Sequence, residues 1–118
     1  MATVSEALKR LEGSKFRSSF HLSKKDKEYV LEKGIEVIRA HARDIITKRL
    51  APAVIPNDGK QTPTKGHPVF IAQHACAMCC RGCMYKWYKV KKGVPLTDIQ
   101  IEKCVNLLVA WIENEIHN

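Results

Sequence analysis

The stretch HACAMCCRGCMYKW, from His74 to Trp87, places four cysteines within eight residues and contains one glycine, Gly82, and no proline. It continues a helical pattern that begins at Pro68, and proline is favoured in the first turn of a helix. The sequence therefore predicts one helix from Pro68 to about Tyr88. Where that helix places its sulfurs decides between a metal site, a reactive thiol and a packed helix face.

Successive residues of a regular helix are about 100° apart around its axis, which predicts that the four cysteines share one stripe with Trp87. On the same geometry His74, Arg81 and Tyr88 recur every seven residues on the opposite side. An unbroken helix would thus keep the His74 imidazole away from the sulfurs. A metal site shared by histidine and cysteine would need a break, which we would expect near Gly82.

Three interpretations of the cysteines stay open. A thiol is a small apolar group, so the stripe could be a surface on which two helices approach closely, with Cys104 of the last helix facing it. Alternatively, Cys79, Cys80 and Cys83 could supply thiolates to zinc, or to an iron–sulfur cluster, with His67 or His41 as a further ligand. The spacing fits imperfectly, because CCRGC offers one CxxC pair where structural zinc sites usually have two.

The third interpretation is a nucleophilic or redox-active thiol. Such a thiol is activated by a neighbouring cation, and the nearest one in the sequence is Arg81. On the predicted helix Arg81 faces away from the sulfurs. Whether the chain is an enzyme therefore stays open.

The rest of the chain predicts further helices. Residues 3–12 have helical spacing, Ser23 can cap a helix that Gly34 ends, and an amphipathic helix follows over residues 35–50. Thr97 and Gln100 form a capping box that opens the last helix. Between the first two helices, FRSSFHL (residues 16–22) is irregular, and its aromatic side chains are predicted to anchor it to the core. No strand pattern competes, so the predicted fold class is all-α, a bundle of four to five helices.

Length and composition predict one helical domain over residues 1–118, with 45% apolar and 27% charged residues. No apolar run approaches the roughly 20 residues that cross a bilayer, and the first residues lack a secretory signal. We therefore expect a cytoplasmic protein that makes no membrane contact. Thiols stay reduced in that compartment, which argues against a disulfide framework for the five cysteines.

A long polar loop is predicted at about residues 51–67, where proline and glycine interrupt the helical pattern. Long loops in small domains often carry function. The loop and the opposite side of the cysteine helix together could bind a small anion, assisted by the N-terminus of the helix that begins at Pro68. The chain could then be a binding protein for that anionic ligand, or an enzyme that acts on it through His67, His74 and Arg81. The candidate anion-binding residues are Asn57, Asp58, Lys60, Gln61, His67, His74 and Arg81.

The formal net charge of +8 favours polyanionic partners. Basic and aromatic residues alternate after the cysteines, a composition that suits phosphate contacts and base stacking. The lysines in question are Lys86, Lys89, Lys91 and Lys92. A nucleic-acid-binding module is therefore a further hypothesis, although no recognised motif accompanies it.

Several of these segments resemble a small, mainly microbial family of unknown function: FRSSFHLSKKDKEYV, HARDIITKRLAPA, NDGKQTPTKGHPVFIAQHA, CCRGC and KW. The resemblance extends from about Ser14 to Trp111 and implies importance for the loop residues and for CCRGC, without implying an activity. The chain departs from the family at Cys76 and Met78, where the family has threonines, and at Tyr88, where it has histidine. The resemblance therefore makes Cys76 a poor ligand candidate.

Overall fold

The computed structural model describes residues 3–117, which contain six α-helices, one short 3₁₀ helix and no β-strand. The all-α prediction is confirmed. The helices are α1 (Val4–Glu12), α2 (Lys24–Lys33), α3 (Ile35–Arg49), α4 (Pro68–Ala75), α5 (Arg81–Tyr88) and α6 (Asp98–His117), and the 3₁₀ helix is Arg17–Ser19. The predicted loop over residues 51–67 is confirmed, because it contains neither helix nor strand.

The helix ends follow local chemistry. The Ser23 hydroxyl accepts a hydrogen bond from the Asp26 amide at the start of α2, and Gly34 ends that helix with φ of 86°, a backbone conformation that favours glycine. At the start of α6, Thr97 and Gln100 exchange hydrogen bonds between side chain and amide. These are the caps that the sequence predicts.

The hydrophobic core is built chiefly where α3 packs against α6. Fully buried apolar side chains lie at helical spacing on both elements, and burying each valine, leucine or isoleucine among them contributes roughly 1.5–3 kcal/mol. They include Ile38, Ala42 and Ile46 on α3 and Val105, Leu108 and Ile112 on α6. Within residues 3–117, no helix combines the length and the apolar character needed to cross a membrane.

The predicted single helix from Pro68 to Tyr88 is wrong, and the break raises the helix count to six. The chain leaves α4 at Cys76, and Ala77 adopts a left-handed conformation with φ of 57°. Gln73 stabilises this turn, because its carbonyl oxygen accepts from the Met78 amide at 2.7 Å and its side-chain amide donates to the Met78 carbonyl at 3.0 Å. The break spans residues 76–80, so it includes the first two cysteines of CCRGC and lies before Gly82.

Candidate metal centre

Three cysteines meet at the turn between α4 and α5. The sulfur atoms of Cys79, Cys80 and Cys83 all lie within 4.8 Å of one another, and those of Cys79 and Cys83 are 3.6 Å apart. Such a group could hold a metal ion. The fourth cysteine of the predicted stripe, Cys76, is not part of it, because the turn separates the stripe into two sets.

The start of α5 fixes the positions of these sulfurs. Cys80 is the N-cap residue, and its sulfur accepts a hydrogen bond from the Cys83 amide at 3.3 Å. The loop of residues 51–67 supplies two more contacts: the Thr62 hydroxyl donates to the Cys79 carbonyl at 2.7 Å, and the Asp58 carboxylate accepts from the Arg81 amide at 2.9 Å. The loop therefore holds both sides of the cysteine turn.

A buried cation, Arg17, lies against the sulfurs. Its guanidinium donates to the sulfur of Cys83 at 3.2 Å, to that of Cys79 at 3.6 Å and to the His74 carbonyl at 2.7 Å. Burial opposes the charged form, but the hydrogen bonds to the two sulfurs outweigh it and raise the pKa of Arg17. Sequence reasoning missed this residue, although it lies in the irregular FRSSFHL run, which was interpreted through its aromatic side chains alone.

The other buried cation, Arg81, has a structural role. Its guanidinium donates to five backbone carbonyls, those of Leu50, Ala51, Pro52, Lys91 and Val94, at 2.7–3.4 Å. These contacts join the chain that follows α3 to the segment between α5 and α6. This side chain contacts backbone carbonyls and not the sulfurs, which agrees with the prediction that it faces away from them.

Packing explains the two remaining cysteines. Cys76 and Cys104 are both fully buried in the hydrophobic core. Burial raises the pKa of the Cys104 thiol to about 12 and that of Cys76 further still. The Tyr88 hydroxyl donates to the Cys76 carbonyl, so Tyr88 contacts the cysteine that the predicted helix placed on its opposite side.

One of the three clustered cysteines, Cys80, has a thiol that releases its proton only with difficulty. Burial, and to a smaller extent its neighbours Cys83 and Cys79, raises its pKa to about 12. A bound metal would have to displace that proton, since the thiolate is the ligand. Metal uptake at this site should therefore release protons and weaken on acidification.

His67 does not join the sulfurs, although it was a predicted metal ligand. It is the N-cap of α4: its Nδ1 accepts from the Val69 amide at 3.0 Å, and its Nε2 lies 3.1 Å from Nδ1 of His41. Because Nδ1 is an acceptor, the neutral ring carries its proton on Nε2 and donates a hydrogen bond to Nδ1 of His41. Burial, and then the neighbouring His41, lowers the pKa of His67.

The residues predicted to bind an anion make contacts within the protein. The Asp58 carboxylate occupies the N-terminus of α5 and also accepts from the Gln61 amide, whose oxygen accepts from Gly59. Burial opposes this charge, but hydrogen bonds from Arg81, Gln61 and Gly82 lower the pKa of Asp58. Asn57 and Lys60 belong to the same turn, where the Lys60 amide donates to the Asn57 carbonyl.

The His74 ring stacks on Phe20, with its Nε2 3.1 Å from the Thr62 carbonyl. His67, His74 and Arg81 therefore have separate partners: His41, the loop carbonyls and the backbone around Leu50. An anion site made of these residues stays a prediction, and the geometry offers it no support. The nucleic-acid hypothesis also stays a prediction, and the four lysines behind it are exposed.

Fold and site together define a small all-α protein with a three-cysteine cluster that could hold a metal ion. The chain belongs to the family described as Domain of unknown function (DUF4186), whose model matches residues 5–113. No solved structure matches the chain.

Proposed function

We propose that the protein binds one zinc ion through the thiolates of Cys79, Cys80 and Cys83. The observation that carries the proposal is the spacing of the sulfurs. With Zn–S bonds of about 2.3 Å, tetrahedral geometry sets any two sulfur ligands roughly 3.8 Å apart. The sulfurs of Cys79 and Cys83 are 3.6 Å apart and no pair exceeds 4.8 Å, so small rotations of the side chains would suffice to enclose the ion.

The surroundings of the sulfurs fit a charged metal centre. Three thiolates exceed the charge of Zn²⁺ by one negative charge, which would be costly to bury without compensation. Arg17 supplies the opposite charge and donates to two of the three sulfurs. The Cys83 amide donates to the third, Cys80. Hydrogen bonds of this kind orient ligands and tune the metal in known sites.

Three protein ligands leave one of four zinc positions for another donor. Among the His, Cys, Asp and Glu side chains of residues 3–117, the cluster contains only these three cysteines. Zinc sites with three protein ligands and an open position bind water or a substrate there, whereas structural sites are closed by four. We therefore infer a site that exchanges its fourth ligand.

The proposal is tested by elemental analysis of protein purified without added metal. We expect about one zinc per chain in the wild type, and loss of that zinc in Cys79→Ser and Cys83→Ser. Cys104→Ala is the matched control, because it removes a buried thiol outside the cluster and should keep the metal. Iron in place of zinc would favour the iron–sulfur alternative.

A second measurement guards against variants that fail to fold. Metal-free wild type, prepared with a chelator, is titrated with Co²⁺, whose thiolate charge-transfer absorption reports sulfur ligands directly. We expect saturation at one equivalent, reversed by Zn²⁺. A wild-type protein that is fully folded, metal-free and unable to bind Co²⁺ would overturn the proposal and leave packing or a reactive thiol as the role of the clustered cysteines.

A further inference from the structure

A surface cleft is lined in part by Arg17. This cleft of about 320 Å³ lies between α1, the 3₁₀ helix and α5. Its lining consists of cations, a hydroxyl and aromatic rings: Arg10, Ser14, Phe16, Arg17, Lys86 and Trp87. The cleft contains no carboxylate. It is distinct from the loop where the sequence predicts an anion site.

No carboxylate within residues 3–117 pairs with a cation of this cleft, although Arg17 also donates to the sulfurs of Cys79 and Cys83. The ion pairs found among residues 3–117 are His21 with Glu115, Arg43 with Glu102 and Lys48 with Asp44, and none involves a cation of the cleft. Three cations line this one concave surface, where like charges repel one another unless an anion joins them. The cleft therefore has the electrostatics of an anion site.

Two of the three cations are held in place before any ligand arrives. Arg10 donates to the Trp87 carbonyl and lies 4.6 Å over the Trp87 ring, and Arg17 is anchored on the His74 carbonyl and the sulfurs. The Ser14 hydroxyl oxygen accepts from the Arg17 amide at 3.1 Å, which leaves its own proton free to donate. Fixed donors bind more tightly because little conformational entropy is lost.

An aromatic surface adjoins the cations. Phe16 is 62% exposed and lies at the edge of the cleft, with the Arg17 guanidinium 5.0 Å from its ring centroid. A large apolar side chain exposed beside three cations suits a ligand that has a flat ring next to its negative charge. The volume lies at the low end of the range for small-molecule sites, which favours a small ligand over a polymer.

We propose that this cleft binds a small phosphate monoester that carries an aromatic or heterocyclic ring. The phosphate contacts Arg10, Arg17 and Lys86, and the ring lies on Phe16. The inference goes beyond the zinc proposal and does not require it, because the side chains of Arg10 and Lys86 donate no hydrogen bond to the clustered sulfurs and Phe16 has no polar group. Arg17 alone belongs to both sites, so it is left out of the variants below.

Isothermal titration calorimetry with phenyl phosphate, adenosine monophosphate and inorganic phosphate tests the proposal. We expect saturable one-to-one binding, weaker by about tenfold or more in Lys86→Gln, as is usual when one charged contact is lost. Lys91→Gln is the matched control. Lys91 is also exposed, carries the same charge and lies outside the cleft, so the affinity of this variant should equal that of the wild type. Phe16→Ala should weaken phenyl phosphate and leave inorganic phosphate unchanged.

Three results would overturn the proposal. The first is an absence of saturable binding for every probe. The second is equal loss in Lys86→Gln and Lys91→Gln, which would indicate attraction to the general positive charge. The third is a short RNA that binds more tightly than any monophosphate and is insensitive to Phe16→Ala, which would indicate a nucleic-acid surface. Zinc content measured on the same samples separates failure of this site from failure of the metal site.

Discussion

The two buried arginines, Arg81 and Arg17, differ in the groups to which they donate hydrogen bonds. Arg81, 3% exposed, donates only to backbone carbonyls, whereas Arg17, 8% exposed, donates to two sulfurs and one carbonyl. Arg81 connects chain segments whose carbonyls would otherwise be unpaired, so its role is structural. Arg17 places a positive charge beside two cysteine sulfurs, which bind metals as thiolate anions. Of the two, only Arg17 therefore points to a functional site, because its partners include thiols and those of Arg81 are backbone carbonyls.

The same substitution at both positions tests this difference most strongly. Arg81→Lys should lower the free energy of unfolding by about 3–5 kcal/mol, because a lysine ammonium has three donors at one point and cannot replace a guanidinium that reaches five carbonyls. Arg17→Lys should cost about 1 kcal/mol, the usual worth of a hydrogen bond. Urea denaturation measures both. Equal losses would contradict the distinction between the two arginines.

The functional half of the comparison is tested by the affinity for zinc. Arg17→Gln removes the charge beside the thiolates and should weaken zinc binding about 10–100-fold, as is typical for partners of metal ligands. Competition with a chromophoric chelator measures the affinity, and circular dichroism shows whether the fold is retained. Unchanged affinity in a folded variant would mean that Arg17 serves packing, as Arg81 does.

Sequence reasoning predicted those features that depend on neighbours along the chain. Ser23 and the Thr97–Gln100 box were identifiable because a cap acts over three residues, and the loop was identifiable from its prolines and glycines. The break in the cysteine helix was missed because Ala77, a strong helix former, adopts a left-handed conformation that only the pairing of Gln73 with Met78 explains.

The candidate site was predictable only in part, for the same reason. The CCRGC motif identified the three cysteines, and the turn between α4 and α5 brings their sulfurs together. Arg17 is 62 residues from Cys79 in the sequence, and no local pattern connects the two. His67 has the chemistry of a ligand, but its ring is used as the cap of α4. Tertiary contacts of this kind decide which of the available groups meet.

A smaller effect is expected from the contact between the loop and the cysteine turn. Thr62→Val keeps the shape of a buried side chain but leaves the Cys79 carbonyl without the donor at 2.7 Å, which should cost about 1 kcal/mol of unfolding free energy. If Arg81 alone positioned the turn between α4 and α5, Thr62→Val would leave the zinc affinity unchanged. We expect a modest loss of zinc affinity, measured in the same chelator competition, with Thr64→Val on the exposed part of the loop as the control.

The smallest expected effect is the dependence of stability on pH that His67 contributes at the end of the loop. His67 caps α4 with a neutral ring whose pKa burial and His41 hold below its usual value. The unfolded chain therefore takes up a proton before the folded protein does. The contribution of His67 to stability is complete above the unfolded pKa of about 6.5 and is lost as the pH falls below it.

His67→Asn isolates this contribution, because asparagine can cap a helix but does not titrate. Unfolding free energies measured between about pH 8 and pH 5 should fall less steeply with acidification in the variant than in the wild type. Loss of a bound metal on acidification would also weaken the protein, but it is common to both chains and cancels in their difference. Parallel curves would mean that His67 makes no pH-dependent contribution to stability.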